Sequence, residues 1–189
     1  MAPTSPKGPT TPNPVDPVRR HTLSVLVQDG EGVISRITGL FTRRGFSIES
    51  IASAATERPG INRITMVCRC DDYQIEQITK QLNKQVPVLK VVCLDDEQMV
   101  ARALLMVKVS ANATTRPQIV DAANIFRARV VDVAPESVVI EATGTHPKLR
   151  AFLDVLEPFG IKEVLESGPL ALQRGPKTLS YNGALKQRV

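Results

Sequence analysis

The chain has 189 residues, of which 42% are hydrophobic and only 4% aromatic, with no tryptophan. This composition supplies enough aliphatic side chains for one large or two small packed domains, and it excludes a wholly disordered chain. The formal net charge is +5. The excess lies at the ends, because residues 1–20 carry three basic and one acidic residue and residues 174–189 carry four basic and none acidic. The nearly neutral body argues against a nucleic-acid-binding surface on the fold.

The three cysteines, Cys68, Cys70 and Cys93, come without a secretory signal pattern. An odd number of cysteines in such a chain indicates a reducing, cytoplasmic setting. Only two histidines are present, both distant in sequence, so we expect no metal site and interpret the three thiols as small buried hydrophobic groups. No apolar run reaches the ~18 residues that a membrane-spanning helix needs, so we expect no membrane partner.

The N-terminal segment, residues 1–20, holds six of the fourteen prolines. Its polar, proline-rich composition predicts a disordered tail, because it has little apolar surface to bury. The alternating residues His21–Gln28 that follow predict a strand.

A glycine loop and a short amphipathic helix come next, within the stretch DGEGVISRITGLFTRRGFSIE. One helical face is apolar, comprising Val33, Ile37, Leu40 and Phe41. Gly45 should end this helix. Because the first amides of a helix are free to bind an anion, the loop at Gly32 suggests a small pocket for a carboxylate. An ordinary strand-to-helix turn would carry the same glycines, and spacing alone does not separate the two.

The remaining elements repeat one pattern twice. Strands are predicted at Phe46–Ala55, Ile61–Cys70 and Val86–Leu94, with a helix after Asp71 or Asp72. The second half predicts strands over Leu104–Ser110, Arg129–Ala134, Val138–Thr143 and Ile161–Glu166, helices opened by Pro117 and Pro147, and a short strand at Leu170–Gln173. The order βαββαβ is that of ferredoxin-like folds. We therefore predict an α+β protein of two tandem ferredoxin-like units, residues 21–95 and 96–175, followed by a basic flexible tail over residues 176–189.

The sequence contains no catalytic motif: GxSxG, the phosphate-binding P-loop and HExxH are all missing. The acidic pairs at Asp71 and Asp95 are better explained as solvated helix caps than as metal ligands. A binding or regulatory module is therefore favoured over an enzyme. The RNA recognition motif shares the βαββαβ order, but it stacks bases on aromatic residues of its third strand, and INRITMVCRC contains none.

Longer stretches resemble the small, regulatory subunit of acetolactate synthase (acetohydroxyacid synthase), whose amino-terminal part is an ACT domain. The matching segments cover roughly residues 21–175 in the family's order and include SVLVQDGEGVISRITGLFTRRGFSIESI, NRITMVC, IEQITKQLNKQVPVLKVV, ANIFRARVVDVAPESVVIEATG and KLRAFLDVLEPFGIKEVLESGPLALQRG. The resemblance implies a non-catalytic partner of a large subunit that carries thiamine diphosphate, Mg²⁺ and FAD. It also implies stimulation of acetolactate formation from pyruvate and feedback inhibition by valine, and in some members by leucine or isoleucine.

The resemblance further implies a homodimer or larger assembly, with effector sites between paired ACT domains formed by residues 21–95. On this sequence the effector-binding positions of one chain are Asp29, Gly32, Val33 and Ile34, and those of the partner chain are Ser47 and Ile48. Many family members have asparagine in place of Asp29 and of Ser47. An aspartate accepts hydrogen bonds from an ammonium group but repels a carboxylate, so the preferred amino acid stays open.

Overall fold

Seven consecutive buried residues mark the centre of the first sheet. The computed structural model describes residues 17–181 and 183, and strand β1 (Arg19–Gln28) buries every residue from His21 to Val27. Neighbouring side chains of a strand point to opposite faces, so both faces of β1 are covered. β1 begins two residues inside the predicted tail, where Arg19 Nη2 lies 2.7 Å from Asp72 Oδ1. The tail prediction for residues 1–16 lies outside the described residues.

Helix α1 occupies the segment in which the periodicity predicted it. It runs over Val33–Arg44 and buries the four predicted apolar residues. Gly45 ends the helix at φ +69°, and the Phe46 N–H donates to the Phe41 carbonyl at 3.0 Å. This bond is typical of a glycine C-cap in the left-handed conformation. The remaining elements of the first βαββαβ set are β2 (Ile48–Ala55), β3 (Ile61–Cys70), α2 (Asp72–Asn83) and β4 (Val88–Leu94).

The first sheet is four-stranded and has the order β2-β3-β1-β4. β1 pairs antiparallel with β3 and with β4, and Val27 lies opposite Asn62 of β3. The helix α2 starts at a capping box, in which the Gln74 N–H donates to the Asp71 carboxylate at 2.7 Å. This cap fixes the start of α2, which buries Ile75, Ile78 and Leu82.

The second half repeats the order with one extended strand. β5 begins at Met99, five residues before the predicted Leu104, because its first residues pair with the short strand β9. The sheet has the order β6-β7-β5-β8, with β9 on β5. Its elements are β5 (Met99–Ser110), α3 (Arg116–Ile125), β6 (Arg129–Ala134), β7 (Ser137–Gly144), α4 (His146–Leu156), β8 (Ile161–Glu166) and β9 (Leu170–Gln173).

The chain divides into two compact units. Of the described residues, the first unit contains 17–49, 53–95, 179–181 and 183, and the second contains 50–52 and 96–178. Each unit pairs one antiparallel sheet with two helices, which confirms the predicted α+β class and the two ferredoxin-like units. The prediction did not place residues 179–181 and 183 in the first unit; it assigned them to a flexible tail. The parts of that predicted tail at residue 182 and over residues 184–189 lie outside the described residues.

The cysteines divide into two kinds. Cys68 and Cys70 are buried in β3, as predicted, whereas the same prediction is wrong for Cys93, which is exposed. Burial raises the pKa of the Cys68 thiol to about 12 and that of the Cys70 thiol to about 11. Thiols with such pKa values stay protonated at neutral pH and are poor nucleophiles. The two buried cysteines therefore act as packing residues.

Candidate effector site

The start of α1 presents unpaired backbone amides. Gly32 has φ +71°, a left-handed conformation that favours glycine, and no side chain caps the helix. The first hydrogen bond of the helix runs from the Arg36 N–H to the Gly32 carbonyl at 2.9 Å. The amides of Val33 and Ile34 precede it, so they have no acceptor within the helix. Together with the helix dipole, they favour a negatively charged group here.

A cavity of about 200 Å³ lies beside this helix start, wholly within the first unit. It is large enough for a small molecule of a few heavy atoms, and both polar and apolar side chains reach it. Its lining residues are Val27, Asp29, Gly30, Gly32, Val33, Ile34, Ser35, Ser53, Asn62 and Ile64.

Two hydrogen bonds connect Asp29, which lines this cavity, to neighbouring segments of the chain. Its backbone N–H donates to the Gly60 carbonyl at 2.8 Å, so the loop is attached to the turn before β3. Asn62 of β3 donates from Nδ2 to the Asp29 carboxylate at 3.0 Å. The bond from Asn62 orients the Asp29 carboxylate. A carboxylate accepts hydrogen bonds, so it is suited to bind an ammonium group.

Another part of the wall is aliphatic and branched. Val27, Val33 and Ile64 are buried, whereas Ile34 is 47% exposed. The cavity thus combines a carboxylate, free helix amides and an apolar surface. These groups complement the ammonium, the carboxylate and the aliphatic side chain of a small amino acid.

The structure brings together four of the six predicted site residues: Asp29, Gly32, Val33 and Ile34 all line the cavity. Ser47 and Ile48 lie where the chain enters β2, where Ser47 is exposed and Ile48 is half-buried. Neither lines this cavity. Their assignment to a site formed with a second chain stays a prediction.

Sequence reasoning missed three polar lining residues, Ser35, Ser53 and Asn62. The signal for Asn62 is the strand register, since Asn62 lies opposite Val27 in the β1–β3 pair. The side chains of directly opposed residues in an antiparallel pair lie on the same face of the sheet. Because Val27 lines the cavity, Asn62 lies on the face of the sheet that borders it. Register is a long-range property, and the spacing of residues along one strand does not reveal it.

Among residues 17–181 and 183, no group of three or more His, Cys, Asp or Glu side chains is placed to hold a metal ion. Within the same described part of the chain, no helix is long and apolar enough to cross a membrane.

Comparison with known proteins gives the site its context. A family model described as the AHAS small subunit-like ACT domain matches residues 23–90, and one described as the small subunit of acetolactate synthase matches residues 102–175. The acetolactate synthase small subunit of Mycobacterium bovis is 54% identical over 84% of this chain and 95% of its own length. The chain belongs to the acetolactate synthase small-subunit family. The candidate cavity lies in the part of the chain that matches the family's ACT domain.

Other members of the family extend this likeness. The probable acetolactate synthase small subunit of Methanothermobacter thermautotrophicus is 49% identical over 84% of this chain and 95% of its own length. The crystal structure of the small subunit from Thermotoga maritima superposes with a TM-score of 0.78 at 36% identity, covering 84% of this chain and 99% of that one. The Thermotoga maritima small subunit thus shares the fold of this chain over 84% of its residues.

Proposed function

We propose that this chain is a regulatory subunit that binds the catalytic large subunit of acetolactate synthase. It stimulates acetolactate formation from pyruvate and confers feedback inhibition by valine, or by leucine or isoleucine, in branched-chain amino acid biosynthesis. Thiamine diphosphate, Mg²⁺ and FAD belong to the large subunit, and this chain supplies no catalytic residue. Family membership and the names of the relatives support the role of small subunit.

The cavity at the start of α1 is the observation that carries the effector proposal. The Asp29 carboxylate would receive the effector's ammonium, and the amides of Val33 and Ile34 would receive its carboxylate. The aliphatic wall around Val27 and Ile64 fits a branched side chain. Burying an isopropyl group there contributes about 2 kcal/mol, which favours valine over alanine. The side chains of Val27, Val33 and Ile64 are apolar, so this part of the wall distinguishes valine from leucine and isoleucine only by size.

The function is tested by reconstitution with the purified large subunit. Adding this chain should raise the rate of acetolactate formation, and valine should then lower that rate. The chain alone, given pyruvate, thiamine diphosphate, Mg²⁺ and FAD, should give no product. Turnover by the chain alone, or a rate that neither rises with the chain nor falls with any branched-chain amino acid, would contradict the proposal.

Pairing of two chains would complete the site. β2 and β4 are the edge strands of the first sheet, and proteins cover exposed edges by pairing them. Pairing two first units edge to edge would supply Ser47 and Ile48 from the partner. We therefore expect at least a homodimer in light scattering at micromolar concentration, with or without valine. A monomer in both conditions would refute this arrangement.

A further inference from the structure

The described end of the chain packs on the first unit. Leu179 is only 8% exposed and forms an apolar cluster with Leu26 of β1 and Ile61 of β3. Leu89, Val92 and Tyr181 surround this cluster. We call residues 179–181 and 183 the C-terminal strap. Because Leu26 and Ile61 are 2% and 3% exposed, the cluster is as well buried as a domain core.

Two arginines hold the strap by its backbone. Arg58 donates from Nη1 to the Tyr181 carbonyl and from Nη2 to the Gly183 carbonyl, the latter at 3.0 Å. Arg63 donates from Nη2 to the Leu179 carbonyl at 3.0 Å. Hydrogen bonds from a charged donor are about twice as strong as neutral ones. The strap therefore has a specific docked position rather than a loose association.

Arg58 belongs to a turn that is itself tightly bonded. In this β2–β3 turn, residues 56–60, the Thr56 hydroxyl donates to the Ile61 carbonyl at 2.9 Å and accepts from the Arg58 N–H at 3.2 Å. The Ile61 N–H donates to the Arg58 carbonyl at 3.2 Å. These bonds connect both ends of the turn, and Gly60 lies between the bonded residues Arg58 and Ile61.

The far side of the same turn supports the candidate effector site. Gly60 accepts the hydrogen bond from the Asp29 N–H, and Asn62, two residues later, donates to the Asp29 carboxylate. The contacts therefore run without interruption from the strap through Arg58 and the turn to Asp29. Each step is a hydrogen bond or a covalent link between described residues.

We propose that the C-terminal strap positions Asp29 through the β2–β3 turn and so sets the affinity of the effector site. The identity of the effector as valine rests on the proposed function above. When the strap leaves, Arg58 loses its carbonyl partners and Ile61 loses its apolar cover, so the turn no longer holds Asp29 in one place. Coupling of this kind is reciprocal, and effector binding strengthens strap docking by the same factor.

The test is calorimetric titration of valine into the full chain and four variants. Removing residues 179–189, or replacing Arg58→Gln, should weaken valine binding about three- to tenfold, which is within the range expected of residues that modulate coupling. Removing only residues 184–189 keeps the strap and should leave affinity unchanged. Because Arg58→Gln removes only contacts that the deletion of residues 179–189 also removes, the double variant should bind valine no more weakly than the deletion variant alone.

Equal valine affinity in wild type, the 179–189 deletion and Arg58→Gln would overturn the proposal. Hydrogen exchange of the Asp29 amide provides a readout that needs no effector. Deleting residues 179–189 should speed this exchange, since the amide's acceptor Gly60 lies in the loosened turn. If wild type binds no valine but exchange speeds up, the proposed function fails and the strap's positioning role stands. Unchanged exchange in both variants refutes the strap's role in either case.

Discussion

Replacing Gly32→Asp should abolish or strongly weaken valine inhibition while stimulation of the large subunit persists. The new carboxylate would face the effector's carboxylate at the start of α1. At ~4 Å and an effective dielectric constant of ~20, this repulsion is about 4 kcal/mol. Even a quarter of it corresponds to about a fivefold loss of affinity. The measurement is a valine titration of the reconstituted enzyme with mutant and wild-type subunits.

Gly32→Asn is the matched control for this change. No atom lies within 4 Å of a Cβ added at Gly32, but φ is +71°, so any side chain there carries the same backbone strain. Asparagine and aspartate are alike in size, and both tolerate the left-handed region better than most residues. Only aspartate adds charge. If inhibition is weakened equally in both variants, charge repulsion is not the cause. If both variants are inhibited at the valine concentration that inhibits wild type, the effector lies elsewhere.

If the Gly32→Asp subunit is folded but fails to stimulate the large subunit, the glycine loop contacts the catalytic partner. Effector binding and activation would then share one surface. Circular dichroism of the isolated mutant establishes that it is folded before the kinetic comparison is made.

Replacing Phe152→Ala should cost the second unit about 3–5 kcal/mol of unfolding free energy. Phe152 is fully buried in α4, and its ring centroid lies 4.9 Å from that of Phe126. The deletion leaves a cavity between α4 and its sheet. Since a small domain is stabilised by only about 5–15 kcal/mol, this loss brings the second unit close to unfolding at 37 °C.

The positions of the tyrosines allow the two units to be followed separately. The chain has no tryptophan and only two tyrosines, Tyr73 and Tyr181, both in the first unit. Tyrosine fluorescence during urea unfolding therefore reports the first unit, whereas circular dichroism reports both. Phe152→Ala should shift the circular dichroism transition and leave the tyrosine transition in place. Phe126→Ala, at a half-buried ring, should have a smaller effect. Equal costs for the two variants, or a shifted tyrosine transition, would contradict this account.

Local sequence patterns predicted helices and strands well where the spacing of apolar residues or a single glycine determines the structure. The apolar face of α1 and its stop at Gly45 follow from 3.6-residue spacing and from glycine's freedom at positive φ. The start of β5 at Met99 could not be predicted in this way, because it depends on pairing with β9, some seventy residues later. Strand pairs that distant are selected by tertiary packing.

In the candidate site, too, local sequence patterns predicted some residues, whereas others depend on the pairing of distant strands. Gly32 and the apolar residues after it could be found from the loop and helix pattern. Asn62 could not, because its place beside Asp29 depends on the β1–β3 register. The strap was missed for a related reason. Basic, glycine- and proline-containing composition predicts a flexible tail, but Leu179 packs on an apolar surface that other parts of the chain create.

The docked strap also means that the apolar cluster of the first unit is completed late in the synthesis of residues 17–183. The strand that closes the first sheet, β4, ends at Leu94, whereas the residue that covers Leu26 and Ile61 is Leu179. At about 5–20 residues per second, a ribosome needs on the order of ten seconds to make the stretch between them. Throughout that interval the nascent first unit has its sheet complete and its two apolar residues without their leucine cover. Arg58 and Arg63 likewise lack their carbonyl acceptors until the stretch that contains Leu179 and Tyr181 has been made.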